Sequence, residues 1–396
     1  MNDQIRPFRI EIPQRDLDDL TARLDRSRWP DPLQGVDPED RSRGIPQPDL
    51  AELVENWRAT YDWRTQEAGL NEYPQFTTQI DGQDLHFVHV RSPRDDAVPL
   101  LLLHGYPSSF AEFTELTHAL VSPDDGTAFH VVVPSLPGFG FSTPLSSTGW
   151  TMARTARALV ELMARLGYLR YGVHGGDIGA GIAGMVAGYD EARVLAVHVV
   201  TDPMTAANTA TFIPGMADRL DADDPVDKLI LERMEKFNAD GSGYLAIQQT
   251  RPQTVAYALA DSPLFQLAWI AEKFHDWTEV PIAPHVLLTH ASIYWFTRAG
   301  GGAAHVLYEQ AHSYDWGSPA QVPHGFSVFG ADETVRKLVP APDGSFWAEH
   351  DAGLHFPAME TPAAMIQDLR SFFGALSEGQ DRRHQRRLEC GFPRRM

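Results

Sequence analysis

Gly175-Gly176-Asp177-Ile178-Gly179 sets a carboxylate among glycines where the chain passes from an apolar run to small residues at helical spacing. Arg170-Tyr171-Gly172-Val173-His174 before it reads as a short strand, and Ala180-Gly181-Ile182-Ala183-Gly184-Met185-Val186-Ala187 after it as a helix. Small residue, nucleophile, small residue between strand and helix is the pattern of a nucleophile elbow, a strained turn that lifts one side chain above the carboxyl edge of a parallel sheet. The residue type then selects the chemistry. A serine that attacked an alkyl carbon would be left as an ether, which the protein could not cleave. An aspartate forms an ester, which water can cleave at the acyl carbon. With a reference pKa of about 4, it is ionised at neutral pH without help from a base. The elbow therefore points to attack on an alkyl carbon rather than on a carbonyl.

Such a nucleophile needs partners. His104-Gly105-Tyr106-Pro107 follows the apolar run Leu100–Leu103, at the place where a loop donates a backbone N–H to an oxyanion hole. The second N–H belongs to the residue after the nucleophile, so the pair would be Tyr106 and Ile178. His104, at a strand end, is expected to order the loop. The base must come late, because the chain order is nucleophile, acid, histidine. His355, in Gly353-Leu354-His355-Phe356-Pro357, lies beyond the last strand pattern and fits. His350 competes from the strand end itself. Asp332, at the end of Phe326-Ser327-Val328-Phe329-Gly330-Ala331-Asp332, could orient the imidazole, with Glu333 as the neighbouring alternative.

The elements that must hold these groups follow from texture. Residues 1–75 carry aromatic and charged residues at helical spacing, broken by prolines, and read as an N-terminal meander. Residues 76–203 alternate strands and helices. Val98–Leu103, Phe129–Val133 and Val194–Val200 are continuous apolar runs, as in a parallel sheet covered on both faces. Residues 204–311 are helical without a convincing strand and read as a cap over the strand ends, where ligands bind in such folds. Residues 312–380 restore the strands at Phe326–Phe329 and Ser345–Glu349. The Arg-rich residues 381–396 read as a mobile tail. The fold class is α/β: an α/β-hydrolase fold, mostly parallel sheet, with a helical cap and the meander.

The chain has 396 residues and a net charge of −20, which argues against nucleic acid and against an anionic membrane surface as partners. Its single cysteine, Cys390, excludes internal disulfides and cysteine-based metal sites. No signal-like opening and no apolar run of membrane-spanning length is present, so a cytoplasmic protein is expected. Gly300-Gly301-Gly302 follows no strand and has no P-loop lysine, and Gly138-Phe139-Gly140 has no third glycine, so neither is read as a phosphate or dinucleotide loop.

These motifs together resemble the epoxide hydrolases of the microsomal type over nearly the whole chain. Ile5–Ile10 through Trp29-Pro30, and Tyr61-Asp62-Trp63-Arg64 through Phe76, resemble that family's N-terminal meander. His104-Gly105-Tyr106-Pro107 resembles its oxyanion motif, with Tyr106 for the commoner Trp. Gly175-Gly176-Asp177 resembles its nucleophile motif, and Gly353-Leu354-His355-Phe356-Pro357-Ala358-Met359 its histidine motif, with Leu354 for the commoner glycine. Phe329-Gly330-Ala331-Asp332 favours Asp332 over Glu333 as the acid. The resemblance further implies two cap tyrosines on the epoxide oxygen, which fall on Tyr244 and Tyr308. It implies no cofactor and no metal, a small-molecule epoxide and water as the reactants, and hydrolysis to a vicinal diol. A homo-oligomer is compatible with the sequence, which does not set the oligomeric state. A fainter likeness is to actinomycete members serving enediyne pathways, in secondary metabolism. Haloalkane dehalogenases share the Asp elbow but place an indole after it and fluoroacetate-type enzymes an arginine, where this chain has Ile178. A serine esterase lacks its serine here. A binding protein that kept the fold and lost activity is the remaining alternative.

Overall fold

A computed structural model of the chain describes residues 4–339 and 341–390, with side chains as far as Leu376. Among the described residues nine strands form one sheet: β1 (Arg6–Phe8), β2 (Gln75–Ile80), β3 (Gln83–Val90), β4 (Val98–Leu103), β5 (Phe129–Pro134), β6 (Tyr171–Gly175), β7 (Val194–Thr201), β8 (His324–Phe329) and β9 (Phe346–His350). Their order across the sheet is β1-β2-β3-β5-β4-β6-β7-β8-β9. The first four, β1 to β5 in that order, pair antiparallel, and from β5 onward every pair is parallel. Successive side chains of a strand point to opposite faces, and here both faces are apolar. Leu101 and Leu103 enter the core on one side with Val132 and Val173; Leu100 and Leu102 enter the other with Val131 and Val133. Helices on both faces explain why β4 and β5 read as unbroken apolar runs.

Between β7 and β8 the chain is helical. The cap helix Pro284–Thr297 is buried on every side from Leu287 to Trp295, because the N-terminal segment closes over it. Trp57 Nε1 donates to Ser292 Oγ at 2.9 Å, and the Tyr61 and Thr289 hydroxyls lie 3.1 Å apart. The segment also ties itself to the core. Asn71 exchanges two 2.9 Å bonds with the backbone of Ile10, and Glu67 accepts from Ile12 N and Trp63 Nε1. The short strand β1 inside this segment was not foreseen; three polar-flanked residues at a sheet edge carry no periodic signal.

The Arg-rich stretch from 381 continues the helix Pro362–Cys390. The mobility expected of it, and residues 391–396, lie outside the described residues. Among the described residues no helix is long and apolar enough to cross a membrane.

Candidate active site

Strand β6 ends at Gly175, and the helix Ile178–Tyr189 begins three residues later, leaving Asp177 at φ 52° and ψ −130°. A non-glycine residue at positive φ is held there only by its surroundings. Gly179 is one reason the turn closes: a Cβ on it would lie 2.4 Å from Leu103 O. Gly105 is another, since a Cβ there would lie 2.4 Å from Asp177 Cβ. The elbow helix and the loop after β4 are thereby pressed against the carboxylate from two sides. Tyr106 N donates to Asp177 Oδ1 at 2.8 Å. Ile178, the other expected N–H donor, opens the helix beside it.

His355 lies opposite, with its side chain nine-tenths buried and Nε2 3.6 Å from Asp177 Oδ2. Its backbone N–H is fixed by Trp277 O at 3.1 Å, and the Trp277 ring meets the imidazole edge-on at 4.9 Å. On the far side of the ring, Nδ1 is 2.8 Å from Thr205 Oγ1, which in turn donates to Asp202 Oδ2 at 2.5 Å. Asp202 Oδ2 is itself 3.6 Å from Nδ1. Because the threonine proton goes to the carboxylate, its oxygen accepts from Nδ1–H, so the neutral ring carries its lone pair on Nε2. Nε2 is buried and has no hydrogen-bond partner among the described residues. Burial alone would lower the His355 pKa, but the Asp202 and Asp177 carboxylates outweigh it and raise it above the ordinary value. Asp202 is buried too, yet the neighbouring His355 imidazole and the hydrogen bonds from Thr205 hold its pKa below the usual range.

The acid expected from the sequence sits elsewhere. Asp332 Oδ2 accepts from Arg233 at 2.7 Å, and its Oδ1 caps the following helix through Thr334 N at 2.9 Å and the Thr334 hydroxyl. Glu333 is exposed. The carboxylate in reach of the imidazole is Asp202, which follows β7 rather than β8. It is held by Met204 N and Thr205 N at 2.8 and 2.9 Å, as the N-cap of the helix Pro203–Ala210. The physical reason is adjacency. Strands β7 and β8 are parallel neighbours, so both present a carboxylate at the same sheet edge, and Arg233 draws Asp332 away. The signal in the sequence was Asp202-Pro203 at a strand end with Thr205 three residues on.

Tyr244 lies on the wall of the cavity that Asp177 and His355 line. Its ring stacks on Tyr106 with centroids 5.9 Å apart and meets Trp277 edge-on at 5.4 Å. Burial, and then the Asp177 charge, push its phenol well above the ordinary value, so it stays a proton donor. Tyr308 does not join it. Its ring stacks on His312 at 4.1 Å, while the cavity wall is formed by Val306, Leu307, Gln310 and Ala311 of the same helix. At 100° per residue those four share one face, and Tyr308 falls off it.

Two histidines that competed with His355 are engaged elsewhere. His104 places Nδ1 3.0 Å from Gly105 O and accepts at Nε2 from Leu136 N at 3.2 Å, and burial lowers its pKa to about 4. His350 pairs with Asp368 at 2.6 Å. Sequence reading passed over Glu112, a buried acid pushed up to about 7 by desolvation, with Asp177 raising and His355 lowering it. An acidic residue flanked by Phe110, Ala111 and Phe113, in the short helical turn after Ser109, was its available signal.

Asp177, His355 and Tyr244 line a cavity of about 740 Å³ whose remaining walls are mostly apolar, with Phe212, Ile213 and Trp316 among them. Those three side chains are 40–61 % exposed, so they stand at the cavity's mouth. Among the described residues no group of three or more His, Cys, Asp or Glu could hold a metal ion.

Two family models match the chain: epoxide hydrolase N terminus over residues 5–113 and alpha/beta hydrolase fold over residues 98–251. Epoxide hydrolase 1 of Sus scrofa is 32 % identical over 95 % of this chain and 90 % of its own. An enantioselective mutant of the Aspergillus niger epoxide hydrolase superposes with a TM-score of 0.79 at 34 % identity, covering 93 % of this chain and 96 % of that one. The juvenile hormone epoxide hydrolase of Bombyx mori superposes with a TM-score of 0.81 at 28 % identity, over 96 % of each chain. None of these names concerns an enediyne pathway. With the elbow, the facing histidine and the cap already in place, the chain belongs to the epoxide hydrolases that join an α/β-hydrolase fold to an epoxide hydrolase N terminus.

Proposed function

We propose that this enzyme opens its epoxide in two steps, with Asp177 as nucleophile, His355 as base and the Thr205–Asp202 pair holding the imidazole. The observation that carries this reading is the 3.6 Å gap between Asp177 Oδ2 and a His355 Nε2 that bears a free lone pair. Oδ1 is held by Tyr106 N–H, which leaves Oδ2 to attack a ring carbon. The C–O bond of the epoxide breaks as the ester bond forms, and the alkoxide takes a proton from Tyr244. His355 then removes a proton from water, and the hydroxide adds to Cγ of Asp177. The developing oxyanion stays on Oδ1 in the N–H cradle. When the ester cleaves, the departing diol oxygen takes the proton from His355. The proton of the new carboxyl returns to Tyr244. Water and epoxide enter, and a diol leaves. We take the protein to act in the cytoplasm on a freely diffusing small-molecule epoxide.

Oxygen tracing tests this sequence. In heavy-oxygen water, with enzyme in excess over styrene oxide, the first-turnover diol is expected without label and the peptide containing Asp177 with it. Label in the first diol would mean that water opens the ring directly, and Asp177 would lose its role. Turnover of a haloalkane or a simple ester but not of styrene oxide would reject the epoxide reading altogether.

The cap donor is tested separately. Tyr244→Phe is expected to slow alkylation by about 10²-fold, the lower end of what a positioned acid supplies. Tyr308→Phe is expected to leave the rate within about twofold, since its ring is off the wall. Equal losses in stopped-flow measurements of both variants would restore Tyr308 to the site.

A further inference from the structure

Two residues on the cavity wall carry a buried polar side-chain atom without a protein partner among the described residues: His355 and Gln310. The first is the base in the reaction proposed above. The second has no part in the reaction as described above. Gln310 is 9 % exposed and sits on the cap helix Ala299–Ala311, on the face shared with Val306, Leu307 and Ala311. Its amide is oriented, because Oε1 accepts from Met152 N at 2.9 Å. The other end must then be the NH₂, and Nε2 is the atom left without a partner. A buried donor with nothing to bind is unfavourable and is rarely tolerated without a reason.

Its place on the wall suggests the reason. Met152, which holds the amide, has its sulfur 3.3 Å from where a Cβ on Gly181 would lie, and Gly181 is one turn beyond Asp177 on the elbow helix. Tyr106, Tyr244 and Trp277 form a linked aromatic group on the wall that receives the epoxide oxygen. Gln310 lies on a different helix from Tyr244, beside Val306, Leu307 and Met152, whose side chains offer a ligand only apolar contact. The substituent of an epoxide held between Asp177 and Tyr244 shares this one cavity with Gln310.

We propose that Gln310 is a specificity-determining residue: its NH₂ binds an acceptor oxygen on the substituent of the epoxide, so that ethers, ketones and esters of epoxides are preferred to hydrocarbon epoxides. This rests on the epoxide-opening reading above. The amide takes no part in bond making. It reads the substrate, and it discriminates because a hydrocarbon chain in the same place leaves the donor unpaired.

Matched substrates test it. Benzyl glycidyl ether is compared with (3-phenylpropyl)oxirane, and 7,8-epoxyoctan-2-one with 1,2-epoxyoctane, by kcat/KM in wild type, Gln310→Met and Gln310→Leu. Because each ratio is taken within one enzyme preparation, a loss of folded protein cancels. Wild type is expected to favour at least one oxygen-bearing partner by about 3- to 10-fold, the range of a single neutral hydrogen bond. Both variants are expected to lose that preference while keeping their rates on the hydrocarbon partners within about threefold. Ratios that are the same in all three enzymes would overturn the assignment of Gln310 and leave the epoxide reading standing. Failure of wild type to open any of the four would overturn both.

Discussion

His355→Gln enzyme mixed with excess styrene oxide is expected to gain the mass of one substrate on the peptide containing Asp177, and then to stop. The reason is the division of labour across the 3.6 Å gap. Alkylation needs only an ionised Asp177, aligned by Tyr106 N, and an acid at Tyr244. Hydrolysis of the ester needs a proton taken from water, and glutamine has no basic nitrogen to take it. Steady-state turnover should fall by at least about 10³-fold, while the first alkylation slows far less, giving a burst of one equivalent. Asp177→Ala should show no mass gain, no burst and no diol. Intact-protein mass spectrometry under both conditions decides the matter. Normal diol production by either variant would contradict the assignment.

The larger surprise for the sequence reading comes from the acid, and its substitutions should separate cleanly. Asp202→Asn should preserve the alkylation burst and slow the hydrolytic step by about 10²- to 10⁴-fold, the scale seen when the acid of a hydrolytic triad becomes its amide. The mechanism is tautomeric. The carboxylate accepts the Thr205 proton, and Thr205 then accepts from Nδ1–H, which leaves Nε2 basic. An amide that offers N–H to Thr205 turns the hydroxyl toward donating, and the ring proton moves to Nε2. Asp332→Asn is expected to keep both steps within about threefold. It loses an ion pair with Arg233 whose side chains are 27 % and 31 % exposed, a pair screened by solvent and worth about 1 kcal/mol at most. Asparagine still caps the helix. The melting temperature should therefore move by about one degree at most while single-turnover rates hold. If Asp332→Asn instead arrests the ester, the acid lies at the end of β8, where the sequence first suggested it.

The central strands were readable because they are covered on both faces. β4 is Val-Pro-Leu-Leu-Leu-Leu and needs no alternation, so its apolar run stands out. β2 and β3 mix polar and apolar residues near the antiparallel edge, and their signal merged with that of the flanking loops. The placement of Asp177 and His355 across one gap was legible because local backbone chemistry marks them: glycines for a close approach in one case, and a loop between strand and helix in the other. The carboxylate nearest the imidazole was not, because two adjacent parallel strands each end near a carboxylate, and chain order admits both. What separates them is Arg233, about a hundred residues from Asp332 in the chain, whose guanidinium pairs with one of the two. Tyr308 failed for a subtler reason. A single residue of helical phase, 100°, moves a side chain off the cavity wall, and Leu307 holds the inward place.

The bonds from Trp57 to Ser292 and from Tyr61 toward Thr289 bear on how such enzymes can be recombined. They stitch the rear of the cap to a stretch of chain that precedes the first core strand by only a few turns of helix. A cap grafted by itself between two relatives would arrive with its central helix cut to fit another protein's opening segment, and Leu287–Trp295, buried on all sides here, would meet mismatched neighbours. The natural unit of exchange is therefore discontinuous: the first seventy or so residues must travel with the cap they brace.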